Sequence, residues 1–408
     1  MTVCGKFNKY QRVIPVFTID LQKNNFAALS AGDGRTMPIP SLLPCEMNFL
    51  KVYISTVACT RSGIFIYRHH FSEKESDMKK IGIVSLVFFL LITVNLYAAG
   101  EKTVIATGGI GGVYYYYGTQ ISEILSKNNV ASSTAIQTAA SVDNMLLIRD
   151  KTDTAKGTYF FATVLPDTAY FTVTGKHEKF AEKPVKANIM WMMYPNYLHI
   201  VTTDKSGITK LTDLQDKRVS TGAPGSGTEF TALNLLEAAK VDPGKFKKWE
   251  KLGAKESDEG LANGTLDAYV WSGGLPTGSI VELSNTLKRK GLNLFLVPLP
   301  ETDPGVAAFM KEFAGLSDSL MIPKTVYGTE TDTPTLAFWN MFVCPESTPE
   351  DLAYNTTKAV FENVETLRAA VKPAKDTTLE SSAKFVGKTA IPFHPGAVKY
   401  FREKGLVK

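Results

Sequence analysis

The chain has 408 residues with 45 Lys/Arg against 40 Asp/Glu, a formal net charge of +5. Residues 1–98 hold 11 of the basic and 6 of the acidic residues, leaving 34 of each beyond, so the bulk of the chain is formally neutral. The basic excess therefore gives no argument for a nucleic-acid partner. Three of the four cysteines (Cys4, Cys45, Cys59) also precede residue 99, and Cys344 alone remains, which excludes an intramolecular disulfide in 99–408.

Residues 1–77 show no clear helical or strand periodicity and read as the product of an upstream start chosen in error, with true translation expected from Met78; the alternative is a real extension ahead of the export signal. Met78-Lys79-Lys80, an apolar run from Ile81 to Leu96 and Tyr97-Ala98-Ala99-Gly100 then follow the plan of a secretory signal peptide at 78–98. Cleavage is expected after Ala98. The alternative is an uncleaved anchor, although Asn95 and the small residues after it suit a peptidase better than lipid. No cysteine follows the run to carry a lipid, so the expected product is soluble.

Residues 99–408 suffice for two domains of ordinary size. Lys102 to Thr107 reads as a strand that breaks into Gly108-Gly109-Ile110-Gly111-Gly112, with a helical pattern from Val113 to Leu125. Ser132 to Thr138 is a second strand. Ser141 to Arg149 is a second helix, with Ser141 as its N-cap. Tyr159 to Val164 is a third strand, and Pro166 opens a helix. This β-α-β-α-β-α order predicts a parallel sheet covered by helices. Arg149 to Gly157 reads as a polar loop.

Tyr197 to Thr203 is a strand that crosses to a second unit. There, Ile208 to Leu214 is a short helix, Arg218 to Thr221 a strand, and Gly222-Ala-Pro-Gly-Ser-Gly-Thr228 a loop before a helix from Glu229 to Lys240. Another helix is expected with Ser257 as N-cap, then a strand from Leu266 to Trp271, a helix through Leu287 and a strand at Leu294 to Leu299. Thr335 to Val343 returns as a strand, followed by a long helix from Thr348 to Leu367 and helices near Ser381 and Gly396. With crossovers near 200 and 330, the expected organisation is domain I at 99–202 plus 333–408 and domain II at 203–332, hinged as a clamshell.

Three glycine-rich strand-to-helix turns, at Gly108 to Gly112, Gly222 to Gly227 and Gly273-Gly274, offer unpaired N–H groups to an anion. Each alone is weak, since tight turns need glycine for backbone reasons. The second lacks the Gly-Lys-Ser/Thr ending of a nucleotide-phosphate loop and the spacing of a hydrolase nucleophile. His177, His199 and His394 show no metal spacing, and His394 is expected to cap the last helix or to pack. Cys344 reads as a buried, inert thiol. Of the tetrad Tyr114 to Tyr117, Tyr114 and Tyr115 are expected at the cleft; the alternative is that all four pack between domains. Trp271 is weighed the same way, on the cleft side.

Six stretches now carry a resemblance: Ala106-Thr-Gly-Gly-Ile-Gly-Gly-Val-Tyr-Tyr115, Ala140-Ser-Val-Asp-Asn144, Gly222 to Thr228, Gly264-Thr-Leu-Asp-Ala268, Gly274-Leu-Pro276 and Pro392-Phe-His-Pro-Gly-Ala397. In this order they resemble the TAXI family of TRAP-transporter solute-binding proteins, over about residues 104–405. The resemblance implies an α/β, two-lobed periplasmic binding protein fold of type II, two parallel or mixed-sheet domains joined by a hinge. It implies a monomeric periplasmic receptor without cofactor or metal, which captures a small carboxylate (an amino acid such as glutamate or glutamine, or a dicarboxylate) and delivers it to the membrane permease subunits. Tyr115, Ser141, Asn144, Ser226, Gly227 and Thr228 are the ligand contacts it implies. Leu165-Pro166-Asp167 departs from the glutamine-containing turn of relatives. A periplasmic sensor, or an enzyme on the same fold, are the competing readings.

Overall fold

The computed structural model describes residues 53–60, 63–70 and 101–408. The chain divides into two compact units, 1–99 and 100–408. The signal-peptide segment 78–98 lies outside the described residues. Within the first unit, β1 (Tyr53–Thr60) and β2 (Gly63–His70) pair antiparallel, Tyr53 opposite His70. This corrects the expectation of no strand there: β-branched and aromatic runs on either side of Arg61-Ser62 carry the propensity.

The second unit is mixed α/β, the class expected. Its first strands, β3 (Lys102–Ala106), β4 (Ser132–Ile136) and β5 (Thr158–Val164), run parallel, with β3 in the middle. Three helices follow them in turn: α1 (Val113–Lys127), α2 (Ser141–Lys151) and α3 (Pro166–Val173). Pro166 sits at the start of α3, where its missing N–H costs nothing. Ser141 is the first residue of α2 rather than its cap, since Ala140 takes that position. The polar stretch 149–157 is only partly loop: α2 runs on to Lys151 and a 3₁₀ turn spans Thr154–Lys156.

Next comes a 17-residue strand, β6 (Ala187–Thr203), which begins ten residues before the expected Tyr197 because its first half is buried on both faces and lacks alternation. Then follow β7 (Arg218–Ser220), α4 (Gly227–Ala238), β8 (Lys248–Glu250), α5 (Ala254–Ala262), β9 (Ala268–Gly273), α6 (Gly278–Arg289) and β10 (Leu294–Leu296). Ser257 lies inside α5, buried and bonded to Ser220 Oγ at 3.2 Å, so it is not the cap expected. The elements α7 (Pro304–Glu312), β11 (Asp318–Ile322) and α8 (Lys324–Tyr327) were not foreseen. The return strand β12 (Thr333–Pro345) precedes α9 (Glu350–Glu362) and α10 (Val364–Ala370), which replace one long helix and meet at Asn363. The chain closes with α11 (Leu379–Ala383) and α12 (Pro395–Glu403); His394 caps α12, its Nδ1 accepting from Gly396 N at 3.1 Å, as expected.

One sheet contains all ten strands of this unit, in the order β4-β3-β5-β12-β6-β9-β7-β8, with β10 on β6 and β11 on β12. The antiparallel pair β6 and β12 forms its centre. One apolar core includes Ile189 to Tyr194 and Met341 to Cys344; a second includes Leu198, Ile200, Leu336 and Phe338. The two long strands thus pass from one core to the other between Tyr194 and Leu198 and between Phe338 and Met341. At that passage the ladder slips: Trp339 faces Pro195, then Met341 faces Met192. Proline has no N–H for the ladder, and a bulge is where a central strand tolerates one. Cys344 is buried, and burial pushes its thiol up to about 12, as expected of an inert thiol.

Candidate functional site

A cavity of about 750 Å³ opens at the carboxyl ends of the parallel strands. Those ends are where ligands gather in α/β sheets, because the following helices direct their N-termini there. Four helices do so here. Gly112 to Tyr114 at the start of α1, Ala140 and Ser141 at α2, Ser226 to Thr228 at α4 and Gly253 to Glu256 at α5 all line the cavity. Three of these, α1, α2 and α5, have no side chain capping their first N–H groups. Only α4 is capped, by Ser226 Oγ accepting from Glu229 N at 2.9 Å. Uncapped helix starts present partial positive charge and free donors.

Of the residues expected at the site, Tyr114, Ser141, Ser226, Gly227, Thr228 and Trp271 line this cavity. Tyr115 and Asn144 do not. Successive helical residues diverge by about 100°, and the tyrosine tetrad divides accordingly. Tyr114 lines the cavity, Tyr115 is half-buried against the edge of Tyr116, Tyr116 is half exposed and Tyr117 is buried in the core. Tyr117 Oη accepts from Trp191 Nε1 at 3.0 Å.

Asn144 is buried beneath the cavity rather than in its wall. Its Nδ2 donates to Thr107 O at 2.7 Å and Thr163 O at 2.8 Å, and its Oδ1 accepts from Thr138 Oγ1 at 2.6 Å. One amide thus ties together the chain just after β3, the chain after β4 and the end of β5. Thr138 Oγ1 in turn accepts from Ala140 N at 3.0 Å. This clamp holds Ala140 at φ +99°, ψ −137°, a backbone region normally left to glycine. Strain of this kind costs about 1–3 kcal/mol and persists only where its surroundings enforce it. Its effect is to present the start of α2 to the cavity.

Glycines bring the opposite wall close. A Cβ on Gly227 would stand 2.5 Å from Ser141 Oγ and 2.7 Å from Leu165 Cδ1. Asp143 N donates to Gly225 O at 3.1 Å, so the starts of α2 and α4 touch directly. On the other side the Trp271 ring lies against Gly112, with its Nε1 donating to Thr277 Oγ1 at 3.2 Å. Behind Ser141, Asp167 is fully buried between α3 and α4 and accepts from Thr231 Oγ1 at 2.5 Å; burial lifts its carboxyl to about 6.

The floor is a chain of polar groups at the strand passage. Tyr114 Oη donates to Asn340 Oδ1, which also accepts from Asn196 Nδ2 at 3.1 Å. Asn340 Nδ2 donates to Tyr194 O at 3.0 Å. Ser272 Oγ donates to Asn196 Oδ1 at 2.7 Å, and Ser272 N donates to Thr228 Oγ1 at 3.3 Å. Asn340 is the residue released by the bulge, and Tyr194 and Asn196 flank Pro195. Tyr194, Asn196 and the charged residues Lys251, Lys255 and Glu256 line the cavity without having been foreseen. A proline inside a strand between two polar-tipped residues was the available signal for the first two.

The fold and the cavity define a mixed α/β protein with a cleft at the carboxyl ends of its parallel strands. A family model described as the NMT1-like family matches residues 105–405, and the chain belongs to that family. Among solved structures, it is similar to a protein from Bordetella bronchiseptica RB50 at 13% identity, covering 75% of this chain and 98% of that one, with a TM-score of 0.44. It is also similar to MatC from Rhodopseudomonas palustris with bound malate (14% identity, 68% and 90% covered, TM-score 0.43). A third similar structure is an R. palustris protein with adipate (14% identity, 76% and 95% covered, TM-score 0.41).

Proposed function

We propose that this protein is an extracytoplasmic solute receptor that holds a small carboxylate in the cavity between two lobes. The carrying observation is the convergence of four helix N-termini on one cavity, three of them without a capping side chain. A carboxylate bound there gains charge-assisted N–H donors that would otherwise need water. In this reading Tyr114, Ser141, Ser226, Gly227, Thr228 and Trp271 form the contact wall, and Asn144 sets the position of Ala140 and Ser141. The lobes are proposed at 99–202 with 333–408 and at 203–332; separate apolar cores support two lobes, although they change over earlier on β6, between Tyr194 and Leu198, and later on β12, between Phe338 and Met341. The chain is exported by its segment 78–98, acts as a periplasmic monomer, and passes its ligand to TRAP-type permease subunits, as the TAXI resemblance implies.

A thermal-shift screen over amino acids and mono-, di- and tricarboxylates tests this. A true ligand at 100 times its Kd stabilises the fold by about 2.7 kcal/mol. Absence of any shift across carboxylates, or turnover of the hit, overturns the reading.

A further inference from the structure

Resting on that reading, we propose that His199 and Tyr327 are positioning residues for ligand binding: acting through Thr277, they hold the Trp271 indole against the start of α1 and so set the width of the cavity. His199 on β6 stands directly opposite Trp271 on β9 in the antiparallel ladder, and residues so paired point to the same face of a sheet. Tyr327 ends α8, and Thr277 is the residue just before α6. His199, Tyr327 and Thr277 are all buried. The proton positions follow from the donors. Thr277 N donates to Tyr327 Oη at 3.0 Å, so the Tyr327 proton turns to His199 Nε2, 3.1 Å away. The other imidazole nitrogen, Nδ1, lies 2.8 Å from Tyr197 O and 3.3 Å from Trp271 O, both acceptors, and therefore carries the ring proton. Burial pushes the imidazole down to about 4, so it stays neutral and Nε2 stays an acceptor. Thr277 Oγ1 donates to Gly274 O at 2.9 Å and accepts from Trp271 Nε1 at 3.2 Å. Trp271 is thus gripped twice, at its carbonyl by His199 and at its indole nitrogen by Thr277, and each donor in the group has an acceptor.

Two glycines record where this grip places the indole. Neither Gly112 nor Gly273 has a positive φ, so backbone conformation does not call for glycine at either. A Cβ on Gly273 would stand 2.2 Å from Trp271 Nε1 and 2.6 Å from Thr277 Oγ1, in the path of their hydrogen bond. A Cβ on Gly112 would stand 3.2 Å from Trp271 Cη2. Gly112 is the N-cap of α1, so the ring edge lies beside the uncapped start of that helix. Thr277 adds a third sign. It occupies the N-cap of α6, where a threonine hydroxyl ordinarily bonds the helix start, yet its hydroxyl caps nothing and serves Gly274 O and Trp271 instead. Gly112, Trp271 and Gly273 line the cavity, whereas His199, Tyr327 and Thr277 do not and reach it only through the indole. A tryptophan left to itself samples several rotamers. With the ring fixed, the gap between the end of β9 and the start of α1 has one width, which a ligand must match.

Acrylamide quenching of the full chain's emission, parent minus Trp271→Phe, isolates Trp271 among the four tryptophans. Tyr327→Phe and Thr277→Val should each raise the quenching of that share about two-fold, because the indole is released. Thr277→Ser, which keeps the hydroxyl, should restore the parent value and serves as the milder variant beside Tyr327→Phe. Isothermal titration with glutamate and with glutarate gives the second arm. Tyr327→Phe and Thr277→Val should weaken whichever probe binds about five-fold in the parent background, but less than two-fold when Trp271→Phe is already present, since nothing is then left to position. A merely structural role predicts the same weakening in both backgrounds. That result, or Trp271 quenching unmoved by both substitutions, overturns the assignment and leaves the receptor reading standing. Binding of neither probe, with no shift in the wider screen, removes the receptor reading itself, and the quenching arm, which needs no ligand, still decides whether Trp271 is held.

Discussion

Asn144→Ala separates a positioning role from direct ligand contact. The parent amide makes three buried hydrogen bonds, at 2.6, 2.7 and 2.8 Å, to three different strand ends. Each contributes about 0.5–1.5 kcal/mol net, and a carbonyl or hydroxyl left dry adds to the loss. With Asn144 Oδ1 gone, the single Thr138 hydroxyl proton is free to turn to Thr107 O, 3.2 Å away, which limits the damage on that side. The sum is a destabilisation of about 3 kcal/mol, readable as a lower urea midpoint at unchanged slope. Asn144→Asp keeps the shape but sets an oxygen against two carbonyls, and should cost at least as much. Ligand affinity should fall with stability, because Ala140 loses the clamp that holds its positive φ. Asn144→Ala within about 0.5 kcal/mol of the parent would refute the clamp. If that stable variant failed to bind, Asn144 would be a direct contact, as the TAXI resemblance implies.

Further outcomes follow from the same geometry. Gly227→Ala should drive the starts of α2 and α4 apart, costing about 1–3 kcal/mol and abolishing ligand-induced stabilisation in a thermal-shift assay. Ser226→Ala should remove the only side-chain cap among the four helix starts and cost about 1 kcal/mol by urea titration. Asp167 and Asp258 are both lifted by burial to about 6, so the folded state favours their neutral forms. Their contribution is greatest below the ordinary carboxyl range and is lost as pH rises through 6, by roughly 3 kcal/mol each. Unfolding free energies at pH 4.5, 5.5 and 7 should therefore slope downward, and Asp167→Asn should flatten the slope; an equal slope in the variant refutes the assignment. Cys344 should resist alkylation in the native protein and react in denaturant, as read by peptide mapping.

The sequence reveals what glycine and periodicity control. The turns at Gly108 and Gly222 mark two cavity walls because only glycine allows backbone so near Trp271 or Ser141. The tyrosine tetrad was separable only in part, since helical spacing says that four residues diverge but not which one meets the cavity. The start of α5 lies four residues before the expected one because Ser257 is a good capping residue, and its buried bond to Ser220 is invisible in sequence. Lys255 was missed with it. Asn144 stands out as polar at a helix start, yet its partners are backbone carbonyls from two strands, a relation only the folded sheet creates.

The two long strands at the centre of the sheet also set an order of events in folding. The first core draws on residues from Ile105 to Phe401, while the second and third draw, apart from Leu165, on residues 198–338. A core that needs both ends of a chain must wait for the last helix and for the entropy of closing that long loop. The middle segment carries its own partners and is complete sooner. A chain emerging N-terminus first therefore holds β3 to β5 unfinished while the inserted segment consolidates. Under the export proposed above, that delay would keep the opening strands unfolded until the final helix arrives.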